Sequence, residues 1–349
     1  MNANSHAHEH KARVLTPSGL RELDLPDLPK VLKGLAAPDV ETTWVHCESS
    51  PAAVQALEDM GLDEVGIRSL RDGPERPRVE EFSDHLYVSL FSADNAVRRV
   101  RRKISAPAKP GEAVVTDEQV TNLPHLNELR LFLGPRWVIS VGRFPEADYK
   151  DLEERVKRQV FSRGRGPSFI AYHICEWLVE TLQPALERLD DHIDSLEDQV
   201  VLATGESPIQ GLFRLKRDLV DLRRRAAPLR DVMQRLGSHG VLFVDHESEV
   251  YFRDVHDDVL RVIELLDTYR DILSSALDLH LSSVSNRLNK VMKQLTVVAT
   301  VFMPISFLAG LFGTNFLQMP YGSLAWFLVM FILMFVSVVA ILVYTWRRA

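Results

Sequence analysis

The stretch "AGLFGTNFLQMPYGS", Ala309 to Ser323, decides how the chain is read. It is a turn bearing Gly313, Asn315 and Gly322, it carries no charge, and a long apolar run lies on each side of it. From Gln294 to Trp346 there is no Asp, Glu, Lys, Arg or His, although 26% of the chain is charged and its formal net charge is −7. The two runs, Leu295 to Phe312 and Leu324 to Trp346, come close to or exceed the ~20 residues that a helix needs to cross a ~30 Å hydrocarbon core. Residues 313–323 are too few to fold alone, so the runs are expected to form a transmembrane hairpin with both ends on one side. Lys290 and Lys293 precede it and Arg347 and Arg348 follow it, which places that side in the cytoplasm. The opening "MNANSHAHEHKARV" has no apolar core of a signal peptide and agrees with a cytoplasmic start.

Upstream, the composition is that of a water-soluble, acidic region. Residues 1–15 read as a disordered tail in which His6, His8 and His10 alternate. Residues 16–165 read as a cytosolic α/β or α+β domain. "HLYVSLF" (His85–Phe91), "ELRLFLG" (Glu128–Gly134) and "RWVISVG" (Arg136–Gly142) have the alternation of strands, and "PAAVQALEDMG" (Pro51–Gly61) reads as a helix capped by Ser50. The segment Arg98–Val120 begins with five basic residues in six and then turns Pro-rich, which suggests an exposed loop rather than a nucleic-acid site. Cys47 and Cys175 are far apart without a CxxC partner and are expected to be buried, reduced thiols.

Residues 166–294 read as helical. Ser168 can cap a helix to about Ala203, acidic along Glu187–Gln199, and a second runs from Pro208 to about Leu236, basic along Arg214–Arg230. From about Glu247, apolar residues recur in steps of three and four at Val255, Val259, Val262, Leu266, Tyr269, Leu273 and Ala276. With no Pro or Gly before Pro304, one helix of about 65 residues, on the order of 100 Å at 1.5 Å per residue, is expected to run from the cytosolic part into the bilayer.

The same count continues as Asn289, Met292, Leu295, Ala299, Met303, Ser306 and Gly310, with Asn315 just beyond. This face is smaller and more polar at its ends than the opposite one, which carries Val297, Val301, Ile305 and Leu308. In lipid such a face turns toward protein or water, so it suits either a pore lining or helix-against-helix packing. Two helices cannot enclose an aqueous pore, so a pore requires several copies around an axis. A ring of Asn315 amides would then present dipoles without formal charge to a cation that keeps its water, and Mg²⁺ is such a cation. Met292, Leu295 and Met303 would form apolar constrictions able to gate by dewetting.

These residues carry a resemblance to the CorA family of divalent-cation channels, within the superfamily that also holds the ZntB zinc transporters and mitochondrial Mrs2. It covers Gly313, Thr314 and Asn315, the stretch Tyr251–Phe316, and also "RLKRDLVDLRRRAAPLRDVM" and "RPRVEEFSDHLYVSLF". The resemblance implies a funnel-shaped homopentamer in a bacterial-type inner membrane, with an N-terminal α/β domain, a long pore-lining stalk helix and a periplasmic selectivity loop. It makes Asn315 the selectivity Asn and places Asn289, Met292, Leu295 and Met303 along the pore. It also implies regulatory Mg²⁺ sites between cytosolic domains, with Asp278, Asp254 and Asp94 as the matching carboxylates. The sequence departs from the family's common pattern in two places: the motif reads Gly-Thr-Asn rather than Gly-Met-Asn, and the following loop, Met319 to Ser323, has no acid.

The expected function is influx of Mg²⁺, with Co²⁺ or Ni²⁺ as further cargo, driven by the membrane potential and gated by cytosolic Mg²⁺. Two alternatives stand beside it: a ZntB-like Zn²⁺ transporter, proton-coupled or not, and a membrane-anchored metal sensor that does not conduct. No GxxxxGK[ST], HExxH or GxSxG motif is present, so neither an ATP-driven pump nor an enzyme is expected.

Overall fold

The computed structural model describes residues 11–34, 41–73, 75–94, 99–101, 118–120, 125–202, 207–313 and 323–348. The chain divides into two compact units, Met1–Ser274 and Ser275–Ala349.

The first unit is built on a seven-stranded mixed sheet. Its strands are β1 (Lys11–Thr16), β2 (Gly19–Asp24), β3 (Thr43–Cys47), β4 (Arg78–Glu81), β5 (Leu86–Asp94), β8 (His125–Leu133) and β9 (Trp137–Gly142), in the order β2-β1-β3-β9-β8-β5-β4. Only β3 and β9 pair in parallel, Thr43 against Trp137 through Cys47 against Val141. Strand alternation assigns each face its own core. Val45, Cys47, Tyr87, Phe132, Ile139 and Val141 lie in one apolar cluster with Ala53, Val54 and Leu57 of α2 (Pro51–Asp59) and Ile67 and Leu70 of α3 (Glu64–Asp72). On the other face Trp44 meets Phe144 and Tyr149 of the following segment and α4 (Glu146–Gln159), and Phe144 meets Trp177 of α5 (Pro167–Leu202). Helices on both faces explain why β3 and β9 are buried almost throughout.

Three local features differ from the sequence reading. The supposed tail ends early: residues 11–15 belong to β1, because Ala12, Val14 and Leu15 bury their side chains while the backbone bonds β2 on one side and β3 on the other. Residues 1–10, with the three alternating histidines, lie outside the described residues. The basic segment is not a plain loop, since β6 (Arg99–Arg101) and β7 (Glu118–Val120) form an antiparallel ladder; residues 102–117 are outside the description. Ser168 is not the cap but a residue of the first turn of α5, where its hydroxyl donates to Asp245 at 2.6 Å. Ser50 does cap α2, accepting from the Ala53 amide at 3.1 Å ahead of Pro51.

Helix α5 is followed by α6 (Ser207–Leu236) and by α7 (His246–Phe312), a single helix of 67 residues that carries Pro304 without ending. The expected stripe from Val255 to Ala276 is buried throughout, and each such Val or Leu contributes about 1.5–3 kcal/mol by leaving water. Polar contacts fix the helices around it: Arg223 of α6 meets Asp267 of α7 at 2.6 Å, and Lys216 donates to Ser274 at 2.8 Å. Buried Arg130 on β8 is satisfied in the same spirit, by the Ser69 and Gly73 carbonyls and by Glu128 at 2.6 Å.

His46 and Cys47 adjoin in sequence but alternate in β3 and face opposite sides, so they cannot act as a base and nucleophile pair. Burial pushes the Cys47 thiol up to about 12. Burial, aided by the charge of Arg13, pushes His46 down to about 3 while its Nδ1 sits 3.0 Å from the Ser140 hydroxyl. An unfolded chain protonates His46 near 6.5, whereas the folded chain resists to about 3, so this residue's contribution is intact above that upper value and is lost as pH falls below it. Between pH 6.5 and 4 the loss should reach about 3 kcal/mol at 1.36 kcal/mol per unit. Thermal melts of the full chain should therefore fall less steeply with acid in His46→Gln than in the parent; parallel pH profiles would exclude His46 as the cause.

Candidate functional site

The second unit consists of the C-terminal part of α7 and of α8 (Leu324–Arg348). Both helices are long and apolar enough to cross a membrane, and their hydrophobic windows are uncovered in the single chain. Partial cover falls on single faces: Val297, Val301, Pro304, Ile305 and Leu308 on α7, and Met330, Met334, Ser337, Val338 and Ile341 on α8. Both sets recur in steps of three and four, the pattern by which two antiparallel helices cover one another. Asn289, Met292, Leu295, Ala299, Met303, Ser306 and Gly310 remain open, with Met292 58%, Leu295 60% and Met303 74% exposed. The face singled out by its small and polar ends is thus among those that α7 leaves uncovered within one chain, and it lies opposite the partly covered one.

Three hydroxyls of this segment are satisfied inside the helices. Thr296 donates to the Met292 carbonyl, Thr300 to that of Thr296, and Ser337 to that of Met334, so these side chains need no water or partner to sit in hydrocarbon. At the end of α7 the Gly313 amide closes on the Ala309 carbonyl at 2.9 Å. A Cβ there would stand 3.1 Å from that oxygen, so a larger residue would crowd the turn that leads into the loop. Thr314 and Asn315, the other two members of the motif, lie outside the described residues.

Of the three expected carboxylates, Asp94, Asp254 and Asp278, the side chains of Asp254 and Asp278 are described. Asp254 and Asp278 are both exposed on α7, and twenty-four residues separate them along one helix, more than six turns. Asp254 lies close enough to Tyr172 of α5 for its charge to add to the burial that holds that phenol protonated. Asp94 ends β5 opposite His125 of β8; its side chain is outside the description.

The model of the family described as CorA-like Mg²⁺ transporter protein matches residues 39–348. The chain belongs to the CorA family. The cobalt/magnesium transport protein CorA of Thermotoga maritima is 30% identical over 284 residues, which is 80% of this chain and 74% of that one. The zinc transport protein ZntB of Pectobacterium carotovorum is 25% identical, with 85% of this chain and 84% of that one covered. The complete structure of the CorA magnesium transporter from Methanocaldococcus jannaschii superposes with a TM-score of 0.72 at 20% identity, covering 97% of both chains. The fold is therefore that of full-length CorA: an α/β domain, a long helix and two C-terminal apolar helices. As a CorA family member the chain is a divalent-cation transporter.

One cluster of metal-ligating side chains went unread in the sequence. His239, His246 and Glu249 converge where the loop after α6 meets the first turn of α7. The pattern, His followed after six residues by His and after two more by Glu, crosses a loop, and no helical or strand period points to it.

Proposed function

We propose that copies of this chain assemble around an axis, five by resemblance to the family, with the open face of α7 lining an aqueous path for Mg²⁺. The observation that carries the proposal is the uncovered stripe from Asn289 to Gly310, opposite the face half-covered within the hairpin. Each residue of the stripe becomes a ring in such an assembly. The rings of Met292, Leu295 and Met303 narrow and dry the path. Asn315, three residues past Phe312 in the sequence, offers amide dipoles to a cation that sheds water reluctantly.

The charge-free stripe from Gln294 onward leaves nothing in the membrane to relay protons and no His or Cys to hold Zn²⁺. Membrane potential alone suffices as a driving force. A divalent ion moving inward gains about 4.6 kcal/mol per 100 mV, from ~2.3 per unit charge. Lys290, Lys293, Arg347 and Arg348 on the flanks of the hairpin support an orientation with both flanks in the cytoplasm, and the resemblance to the family supports the inner membrane. The ZntB-like reading rests on the relative at 25% identity and on the acid-free loop after Asn315.

Flux into liposomes that hold the purified protein tests the two readings. Mg²⁺ entry that follows a negative-inside potential and ignores a pH gradient is the expected result. Zn²⁺ entry that needs the pH gradient would favour the second reading. The absence of either flux would leave a membrane-anchored sensor.

The regulatory part of the proposal assigns Mg²⁺ to carboxylates that neighbouring copies bring together, Asp278 and Asp254 with Asp94 as their partner. Acids so placed repel until a divalent ion bridges them, so losing the ion loosens the assembly. Asp278→Ala should need at least about tenfold more Mg²⁺ than the parent for protection against limited proteolysis, the shift that ~1.4 kcal/mol of lost binding produces. An unchanged Mg²⁺ dependence would remove Asp278 from the site.

A further inference from the structure

We propose that His239, His246 and Glu249 form a binding site for one divalent transition-metal ion of the zinc class, apart from the ion pathway and independent of the transport reading. His239 Nδ1 lies 2.7 Å from Glu249 Oε2, and His246 Nδ1 lies 3.0 Å from the same oxygen. The two imidazoles are stacked with ring centroids 4.9 Å apart. All three potential ligand atoms fall within 4.8 Å of one another, so small side-chain shifts would bring each to the ~2.0–2.2 Å at which zinc holds imidazole nitrogen and carboxylate oxygen.

The fold prepares this corner. His246 and Glu249 stand one turn apart at the start of α7, and the chain reverses just after His239 at Gly240, whose φ of +79° suits glycine. Phe243 also adopts a positive φ, 63°, and Val241, two residues before it, is buried. The neighbouring acids are engaged elsewhere: Asp245 accepts from Ser168, and Glu247 meets Arg165. Glu249 is different, because it is only 4% exposed and is met by the two exposed imidazoles rather than by Lys or Arg.

A buried carboxylate with two imidazoles carries one negative charge and offers two nitrogens and an oxygen. Three protein ligands with a fourth position open to solvent make a donor set for Zn²⁺, Co²⁺ or Ni²⁺, whereas Mg²⁺ prefers oxygen alone. On binding, the single proton of each neutral imidazole would shift from Nδ1, where it is directed at Oε2, to Nε2, freeing the Nδ1 lone pair, and the ion would take the place of both hydrogen bonds. The ion would then join the loop after α6 to the first turn of α7.

The test uses the full-length protein in detergent, purified without a polyhistidine tag, with Zn²⁺ and Co²⁺ as probes. Wild type should bind about one Zn²⁺ more per chain than His239→Ala or Glu249→Gln, and bound Co²⁺ should show the visible absorption of a four-coordinate ion that both variants lose. Excess Mg²⁺ should leave that absorption in place. The histidines of residues 1–10 are common to all three proteins and cancel in the comparison. His239 is exposed on a loop, and Gln keeps the shape of Glu249, so both variants should keep the parent's circular dichroism. Equal Zn²⁺ stoichiometry and equal Co²⁺ spectra in correctly folded variants would overturn the proposal, as would displacement of Co²⁺ by Mg²⁺.

Discussion

Mg²⁺ entry into liposomes is expected to fall about ten- to hundred-fold when Asn315 is replaced by Ala, with the oligomer intact. The size follows from what the amide would do. A hydrogen bond to a charged partner contributes about 1.5–3 kcal/mol, and a hydrated divalent ion makes every amide around the ring such a donor or acceptor site. Ala removes the dipole and leaves a wall of methyl groups at the mouth, so the ion must approach with part of its shell unsupported. Each ~1.4 kcal/mol added to the highest barrier is tenfold in rate. Asn315→Ser, which keeps a polar group but shortens its reach, should retain more flux than Asn315→Ala. Size-exclusion chromatography separates a conduction defect from a folding defect. Unchanged flux in an intact Asn315→Ala oligomer would take this residue out of the selectivity ring.

Much of the fold was legible because its signals are local and repeated. The three-and-four spacing from Val255 to Ala276 announced a buried helical stripe, and the run from Gln294 without a charge announced the membrane hairpin. The strands Leu86–Asp94, His125–Leu133 and Trp137–Gly142 were visible to within a few residues, since buried positions alternate or run together there. Strand order was not legible, because β3 meets β9 across more than ninety residues and neither strand names its partner. β1 was hidden behind the polar residues that precede it. β2 was hidden because most of its side chains are exposed and it is held by backbone bonds to β1 rather than by a hydrophobic pattern.

The candidate site divides along the same line. The stripe on α7 has a helical period that residue types alone show, and it lies opposite the face partly covered within the chain. Whether copies would cover it, and which acids they would bring to Asp254 and Asp278, depends on contacts between chains that no period in one sequence encodes. The cluster at His239, His246 and Glu249 was silent for a related reason: a loop with two positive-φ residues turns His239 back onto the helix. Loop geometry of this kind follows from particular backbone angles rather than from a repeat.

Leu295→Asn is expected to raise Mg²⁺ flux by on the order of tenfold under conditions that hold the parent closed, namely high Mg²⁺ on the cytosolic side. Leu295 lies one turn after Met292 and one turn before Ala299 on the open face, at the point where charged residues end. Rings of Leu and Met at a narrow point would exclude water, and an ion that keeps its hydration shell cannot pass a dry constriction. Asn is close to Leu in size, so the change would wet the ring without widening it much. Removing ~1.4 kcal/mol of dehydration barrier accounts for the tenfold rise. Leu295→Ile serves as the control, since it keeps the ring apolar and should leave closure intact. The comparison also separates the two roles that the stripe could play. In a wet pathway Asn lowers the barrier and flux rises, whereas at a helix-against-helix contact Asn inserts a polar group between packed side chains, which should weaken the oligomer without opening it. A rise in flux with an intact oligomer would therefore place Leu295 on the path, and oligomer loss with no rise would place it at a contact.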